Sequence, residues 1–166
     1  RVTGTGGLTV DLANSAATAY LAANYNTYTG PTTINQGTLA VYSTPTNTAP
    51  VDPARPNFFG INGDIVIGNN SGTSVDSILT FASSYKEVIN YASLLTINSD
   101  GQFQVNDTQT IGGLTFNGGG IGTTGGNVNL ALTGTLYLDG TVNVSAGKTG
   151  TFTGTGDLSM TRHQGP

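Results

Sequence analysis

The sequence contains no cysteine and no tryptophan, and only 8% of its 166 residues are charged. The absence of cysteine excludes disulfides, thiol nucleophiles and thiolate metal ligands. No apolar run approaches the roughly 18 residues that a membrane-spanning helix needs, so we expect no membrane insertion of this segment. The five lysines and arginines are scattered and the formal net charge is -4. Because such a chain is poorly suited to neutralising phosphates, we expect no nucleic-acid partner.

Glycine is abundant instead, with 25 residues, and so is threonine. Apolar and polar residues alternate in short bursts separated by Gly, Asn, Asp or Ser, a pattern typical of strands with one buried face and of turns between them. The apolar members of the bursts are Leu8, Val10, Leu12; Leu39, Val41; Ile65, Ile67; Leu79, Phe81; Leu95, Ile97; Phe103, Val105; Leu114, Phe116; Val128, Leu130, Leu132; Leu136, Leu138; Val142, Val144; Leu158, Met160. The sequence therefore predicts an all-β chain of short strands.

Two architectures fit this alternation of short strands and turns. One is an antiparallel β-sandwich, and the other is a parallel β-solenoid in which three short strands and three corners make one rung. Pairs such as Asp100-Gly101 are hairpin signals and favour the sandwich. A glycine just before a short strand recurs, for example at Gly37 and Gly113, and such self-similarity is typical of stacked rungs. We expect residues 1–166 to form a single β-solenoid domain of roughly seven rungs, with the sandwich as the alternative.

Three stretches break the alternation, and we expect them to form irregular loops at about 13–25, 43–60 and 83–93. The second contains four of the prolines, which lack a backbone donor and do not fit an interior strand. In the third, Val88 and Ile89 fit a short strand equally well. Side chains in the first two loops are candidates for surface contacts: Tyr20, Tyr25, Asp52, Arg55, Phe58 and Phe59.

The stretch from Asn26 to Val41 has the spacing Asn-x-Tyr-x-Gly-x-Thr-x-Ile-x-x-Gly-x-Leu-x-Val. This spacing matches the second half of the autotransporter-associated β-strand repeat, and the whole of Gly4–Val41 resembles that repeat, with a longer insertion at 13–24 between its halves. Segments from Gly63 onward resemble the rungs that accompany it. The resemblance implies a right-handed parallel β-helix from a secreted or cell-surface protein of a bacterium, without enzymatic activity.

Groups able to perform chemistry are few. Most of the nine acidic residues stand beside Gly, Asn or Ser, where capping a corner is the expected role. His163 is the sole histidine and lies in a polar tail, which argues against a catalytic triad or a histidine-based zinc site. We therefore predict no catalytic residue, no metal and no cofactor. A polysaccharide-degrading β-helix, which would need paired carboxylates, is the third hypothesis, with Asp52 and Glu87 as its candidates.

The segment Thr153–Met160 near the end of the sequence is similar to the segment Thr3–Val10 near its beginning. A solenoid end exposes backbone and apolar core unless it is capped, and we find no amphipathic capping helix at either end. End-to-end stacking on copies of the chain, or on adjoining repeats, is therefore predicted. The predicted interface residues are Thr5, Leu8, Val10, Leu12, Phe152, Leu158 and Met160. Chance similarity is the other explanation, since Thr133–Asp139 carries a similar phrase.

Together with the resemblance, these patterns predict a non-enzymatic protein, and the resemblance implies a location outside the cell or on a bacterial cell surface. Its role would be that of a β-solenoid stalk or filament unit, as one segment of a longer or polymeric assembly. The alternative is an adhesive or carbohydrate-binding module, because tyrosine rings in surface loops can stack on sugars or on a partner chain. In that case the partners would be glycans or a host or neighbouring cell surface.

Overall fold

The computed structural model describes residues 2–22, 26–42, 60–71, 74–81, 88–105, 109–118, 120–121, 135–138, 142–147, 151–152 and 157–159. Over these ranges the chain is all-β, with sixteen short strands and no helix. The strands are β1 (Thr3–Gly4), β2 (Leu8–Asp11), β3 (Thr18–Ala22), β4 (Thr27–Tyr28), β5 (Thr32–Tyr42), β6 (Ile65–Ile67), β7 (Ser77–Phe81), β8 (Leu94–Asn98), β9 (Gly101–Phe103), β10 (Gln109–Ile111), β11 (Gly113–Asn117), β12 (Gly120–Ile121), β13 (Thr135–Leu138), β14 (Val142–Val144), β15 (Thr151–Phe152) and β16 (Asp157–Ser159).

Eleven strands form one curled sheet with the order β14-β11-β8-β6-β5-β7-β9-β12-β15, to which β2 and β3 are added through β5. The long strand β5 is the centre of the curl. Its first half pairs with β2 and β6, and its second half pairs with β3 and β7. Gly37 lies between the halves with a φ of 90°, a conformation that residues with a Cβ rarely adopt. A single strand thus turns from one face of the curl to the next.

Two smaller sheets complete the described architecture, one formed by β1 and β4 and the other by β10, β13 and β16. Every ladder between these sixteen strands is parallel, and an isolated parallel bridge joins Ile61 to Ile89. A single antiparallel bridge, between Asn98 and Gly118, lies outside the ladders. The prediction of a parallel all-β chain is confirmed for these residues. The antiparallel sandwich is wrong for these residues, because their ladders are parallel. Asp100-Gly101, the hairpin signal named above, connects β8 to β9, and these two strands do not pair with each other.

The core follows from the period of two along the strands. In β6 the side chains of Ile65 and Ile67 are fully buried while Val66 is only half-buried. The parallel register then aligns apolar residues of successive strands, and one such line consists of Val10, Ile34, Ile67, Ile97 and Phe116. All five belong to one buried cluster. Removing apolar surface from water stabilises the fold by about 25 cal/mol per Å², so these lines are the main source of its stability.

β7 departs from this alternation, since all five of its residues are buried. Leu79 and Phe81 lie in the core, and Phe81 packs edge-on against Phe103 with ring centroids 5.9 Å apart. Ile78 and Thr80 point to the other face of the strand and are also nearly inaccessible. A strand covered on both faces is typical of parallel sheets, and the expectation of one exposed face is wrong for β7.

The predicted loop at 13–25 is wrong for Thr18–Ala22, which form β3 paired in parallel with β5. Its inward residues are Ala19 and Leu21, and the small alanine hides the alternation from a hydrophobicity pattern. Of the second loop only Gly60 lies among the described residues. In the third, Ile89 is buried and bridges Ile61, which agrees with the alternative of a short strand at Val88–Ile89. Tyr91 and Ala92 form a turn, and residues 83–87 lie outside the described residues.

Close stacking of the strands leaves no room for side chains at one corner, which explains part of the glycine content. A Cβ placed on Gly63 would overlap the backbone of Gly30, and one placed on Gly30 would overlap that of Gly6 and Gly7. Successive turns therefore touch backbone to backbone at this point. Glycine is required there by the distance between turns.

Candidate functional site

Residues 2–22 lie at one edge of the curled sheet. Both β2 and β3 pair with β5 on one side, and within the described ranges no strand pairs with their other side. Most side chains of this segment are exposed, Thr5 among them. The free side of a strand presents a row of backbone donors and acceptors, which favours the addition of another strand.

The apolar residues of this edge form one layer of the core. Val10 is 5% exposed, and Leu8 and Leu12 are half-buried against the same cluster. The structure thus brings three of the predicted interface residues together, because β2 directs Leu8 and Val10 inward and Leu12, just after the strand, packs against the same cluster. Thr5 lies in the exposed segment between β1 and β2. These three residues are the first layer of the core, and their outer side is less covered than the layers that follow.

The opposite edge of the same sheet is β14, which pairs with β11 and, in the part of the chain that is described, with no other strand. Val142 and Val144 continue the lines of Leu114 and Phe116, which are fully buried. The two valines are nevertheless 36% and 51% exposed. The sequence does not mark them as different from other alternating residues. Their place in the last strand of the series is the only signal, and it depends on knowing which strands are neighbours.

The two similar phrases at the chain ends do not occupy equivalent places. Leu8 pairs with Thr32 in the large sheet, whereas Leu158 pairs with Leu136 in the sheet of β10, β13 and β16. Phe152 lies in β15 and pairs with Ile121. Met160 lies outside the described residues. The two similar segments therefore occupy different sheets, and the end-to-end interface stays a prediction.

A second candidate feature is a pair of tyrosines on the outer face of β3 and β5. Tyr20 is 68% exposed and Tyr42 is 38% exposed, and their rings meet edge-on with centroids 6.2 Å apart. Tyr20 was expected at the surface in a loop, and it is at the surface on a strand instead. Tyr42 was not predicted, although its alternation with Val41 could have indicated it. The other predicted surface contacts lie outside the described residues: Tyr25, Asp52, Arg55, Phe58 and Phe59.

Tyr28 has a different environment from this pair. It is buried, and its hydroxyl lies 2.6 Å from Oγ1 of Thr32. Burial raises the pKa of the Tyr28 hydroxyl above its ordinary range, and the hydrogen bond to Thr32 lowers it in part. Tyr28 therefore serves packing inside the fold and is not available to a ligand.

The aspartates that the structure describes at corners hold neighbouring turns together. The carboxylate of Asp100 is buried and accepts hydrogen bonds from the backbone N–H groups of Asn69, Asn70 and Ser71, at 3.0 to 3.2 Å. Asp64 likewise accepts one from Leu94 at 3.0 Å. Because the acceptor and the donors belong to different turns, each carboxylate ties one corner to the next. The corner-cap prediction is confirmed for these two residues.

Asparagines connect the turns in the same way. The side chain of Asn26 is fully buried; its Nδ2 donates to the carbonyls of Ala22 and Gly60, and its Oδ1 accepts from Val2 N–H. The side chains of Asn98 and Asn117 bond to each other at 2.9 Å. Sequence reasoning missed these roles, although Asn26 is the first residue of the phrase that carries the family resemblance. Polar groups that satisfy one another in this way are unavailable for chemistry.

The described residues bring together no group of three or more His, Asp or Glu that could hold a metal ion. Nor do they include a helix with the length and apolar character needed to cross a bilayer. Comparisons of the chain with protein-family models, with curated proteins and with solved structures gave no match. The sheet edges and the tyrosine pair are thus the features of this structure from which a function has to be argued.

Proposed function

We propose that this chain is a non-enzymatic structural unit built as a right-handed β-helix with three strands per rung. Three rows of parallel pairs support the proposal. The first row contains β1 and β4, the Ile61–Ile89 bridge, and β10, β13 and β16. The second row runs from β2 through the first half of β5 to β6, β8, β11 and β14. The third row runs from β3 through the second half of β5 to β7, β9, β12 and β15. Along the chain the rows are visited in a fixed cycle, as expected for a helix of strands.

The function that follows is a stalk or filament segment located outside the cell or on a bacterial surface, similar to autotransporter passengers. The positions that carry the resemblance have structural roles consistent with it. Ile34, Leu39 and Val41 are core residues. Asn26 and Tyr28 are buried polar residues between turns. An elongated unit held together by stacked backbone offers length and stiffness rather than a cavity for a substrate.

The observation that carries the stacking role is that β2 and β14, the first and last described strands of the second row, are each paired on one side only within the described residues. The free sides lie at opposite ends of a parallel series, so copies can add head to tail. Contacts of this kind are heterologous and produce an open rod unless the rotation closes it. The partner is another copy of the chain or an adjoining repeat.

Light scattering over a wide range of protein concentration, combined with negative-stain electron microscopy, tests this function. We expect the mass to grow with concentration and rods of constant width to appear. Thr33→Lys, an outward substitution in β5, which is paired with β2 on one side and β6 on the other, is the matched control and should leave the rods unchanged. A particle that remains a monomer at every concentration would contradict the stacking role.

An adhesive or carbohydrate-binding role is the second candidate, and the Tyr20–Tyr42 pair favours it. Two exposed rings that meet edge-on at the surface of adjacent strands offer an apolar face on which a sugar ring can stack. Binding to a glycan array that is lost in Tyr20→Ala and retained in Leu94→Ala would support this role. Leu94 is a suitable control because it is also exposed, on a different strand.

A further inference from the structure

We propose that one copy joins the next through a parallel strand pair between β14 and β2, in a register that sets Val142 against Leu8, Asn143 against Thr9 and Val144 against Val10. The inference rests on the proposed end-to-end function and specifies which edges meet. It commits to a second copy of this chain as the occupant of the β14 edge.

The register comes from the pairs within one copy. One line of residues runs through the second row as Leu8, Thr32, Ile65, Leu95, Leu114 and Val142. Another runs through the same strands as Val10, Ile34, Ile67, Ile97, Phe116 and Val144. Placing β2 of the next copy after β14 continues both lines with aliphatic residues. A shift by one residue would direct Thr9 toward the core, since side chains alternate along a strand.

The exposure of the residues in these two lines rises at β14, where no further strand covers the core among the described residues. Leu114 and Phe116 are buried by strands on both sides, whereas Val142 and Val144 have one neighbouring strand in the described part of the row and are 36% and 51% exposed. At the other end Val10 is almost completely buried, so β2 already presents a packed apolar layer. The exposed Val142 and Val144 of one copy would therefore be covered by the apolar residues of β2 in the next copy.

The third row agrees with this register. β15 ends that row in the described residues, and β3 begins it. The same placement sets Thr151 against Thr18 and Phe152 against Ala19. The strands of the third row would thus continue across the join in the same backbone register as those of the second.

The first row limits how the copies can join. β16 pairs with β13, so it occupies the place that β1 of the incoming copy would need. β1 is held to β4 by hydrogen bonds in which Thr27 N–H donates to the Val2 carbonyl and Thr29 N–H donates to the Gly4 carbonyl. Because β1 is shorter than β16, we expect β1 of the incoming copy to separate from β4 when the copies join. Removing residues 1–6 should therefore accelerate assembly rather than prevent it.

Cysteine cross-linking tests the register, because the natural sequence has no cysteine. Thr9 and Asn143 are both exposed and belong to one copy's opposite edges. Paired parallel strands bring Cα atoms to about 4.8 Å, within the range that a disulfide can span. Under mild oxidation the double variant T9C/N143C should form a ladder of covalent multimers, while each single variant should stop at the dimer.

T9C/S145C is the matched control, since it moves one cysteine two positions out of the proposed register. We expect its ladder to form at least about tenfold more slowly, because the Cα atoms would be beyond the usual disulfide distance. Equal rates for the two double variants, in a protein that still forms rods by electron microscopy, would overturn the register and leave the proposed function standing. Monomers of the natural sequence at all concentrations would overturn both.

A second pair of variants does not depend on cysteine. Val144→Lys should abolish rods because a charge would have to enter the new apolar layer. Thr115→Lys should not, because Thr115 faces outward on β11, a strand that already has a partner on each side. Thermal melting by circular dichroism reports whether each variant remains folded. Rods that persist in folded Val144→Lys would also overturn the proposed contact.

Discussion

The middle turns of this fold and its first turn are built from the same kinds of residue, yet they differ in how well their cores are covered. Ile67 and Ile97 lie between strands on both sides and are completely buried. In the first turn, β2 and β3 have one neighbouring strand each among the described residues, and Leu8 remains half-buried. The outward face of that turn carries the most exposed aromatic residue of the described chain, Tyr20.

This difference shows that burial is supplied by neighbours along the stack rather than by each strand alone. Ile65, Leu114 and Val142 occupy equivalent positions in one line of the second row. The first two are buried and the third is not. At the β14 edge an apolar residue thus loses burial when no strand follows it, whereas Val10 in the edge strand β2 is only 5% exposed. Variants that compare covered with uncovered positions can therefore test the architecture directly.

The largest difference is expected between Ile67→Ala and Val142→Ala. Truncating a fully buried isoleucine removes its burial and leaves a cavity, which costs about 2–5 kcal/mol. The partly exposed valine should cost less than about 1 kcal/mol, because its side chain has fewer contacts to lose. Urea unfolding followed by circular dichroism gives both free energies. Similar costs at the two sites would show that the ends are covered as well as the middle.

The next effect concerns the corner where turns touch backbone to backbone. Gly63→Ala should destabilise the fold by about 1–3 kcal/mol, because the new methyl group overlaps the carbonyl of Gly30 and forces the turns apart. Gly6→Ala is the control, since a Cβ there would meet no atom within 4 Å. The same unfolding experiment applies. Gly63→Ala without a measurable loss would mean that the turns are not in contact at this corner.

A smaller effect is expected at the buried carboxylate. Asp100→Asn keeps the shape but places an NH2 group where backbone N–H groups now donate, and hydrogen bonds to a charged group contribute about 1.5–3 kcal/mol. Asp11→Asn, at an exposed position of the first turn, should cause no measurable change. Amide hydrogen exchange of residues 69–71 is a specific measurement: it should accelerate in the first variant only. Unchanged exchange would contradict the capping role.

The smallest effect is expected from Tyr28→Phe, which removes one hydrogen bond with Thr32 and should cost about 0.5–1.5 kcal/mol at neutral pH. Because burial raises the pKa of Tyr28, the unfolded chain releases the proton first, near pH 10. The stability from this residue is complete below that pH and is lost as the pH rises further. The natural protein should therefore lose more stability than Tyr28→Phe between pH 9 and 11. Unfolding free energies measured with urea that fall equally with pH in the two proteins would contradict this.

The strands were largely predictable because alternation is local. Ile65–Ile67, Leu95–Ile97 and Leu114–Phe116 stand out by period two, and each is a strand with its apolar residues inward. β3 was missed because Ala19 contributes too little hydrophobicity to mark an inward position. The capping aspartates were predictable from their neighbours, whereas the tie between Asp100 and residues 69–71 was not, since it joins distant parts of the chain.

The sequence by itself determined that this chain forms short strands, which side chains face inward along most of them, and where many of the corners lie. These features depend on the geometry of a strand and on the turn preferences of Gly, Asn and Asp, which act within a few residues. The tertiary structure decided between the parallel solenoid and the antiparallel sandwich, both of which the alternation allowed. It alone decided that Val142 and Val144 are less covered than Leu114 and Phe116, and that the two similar end segments occupy different rows. Those outcomes depend on which strands become neighbours, and residues far apart in the chain settle that together.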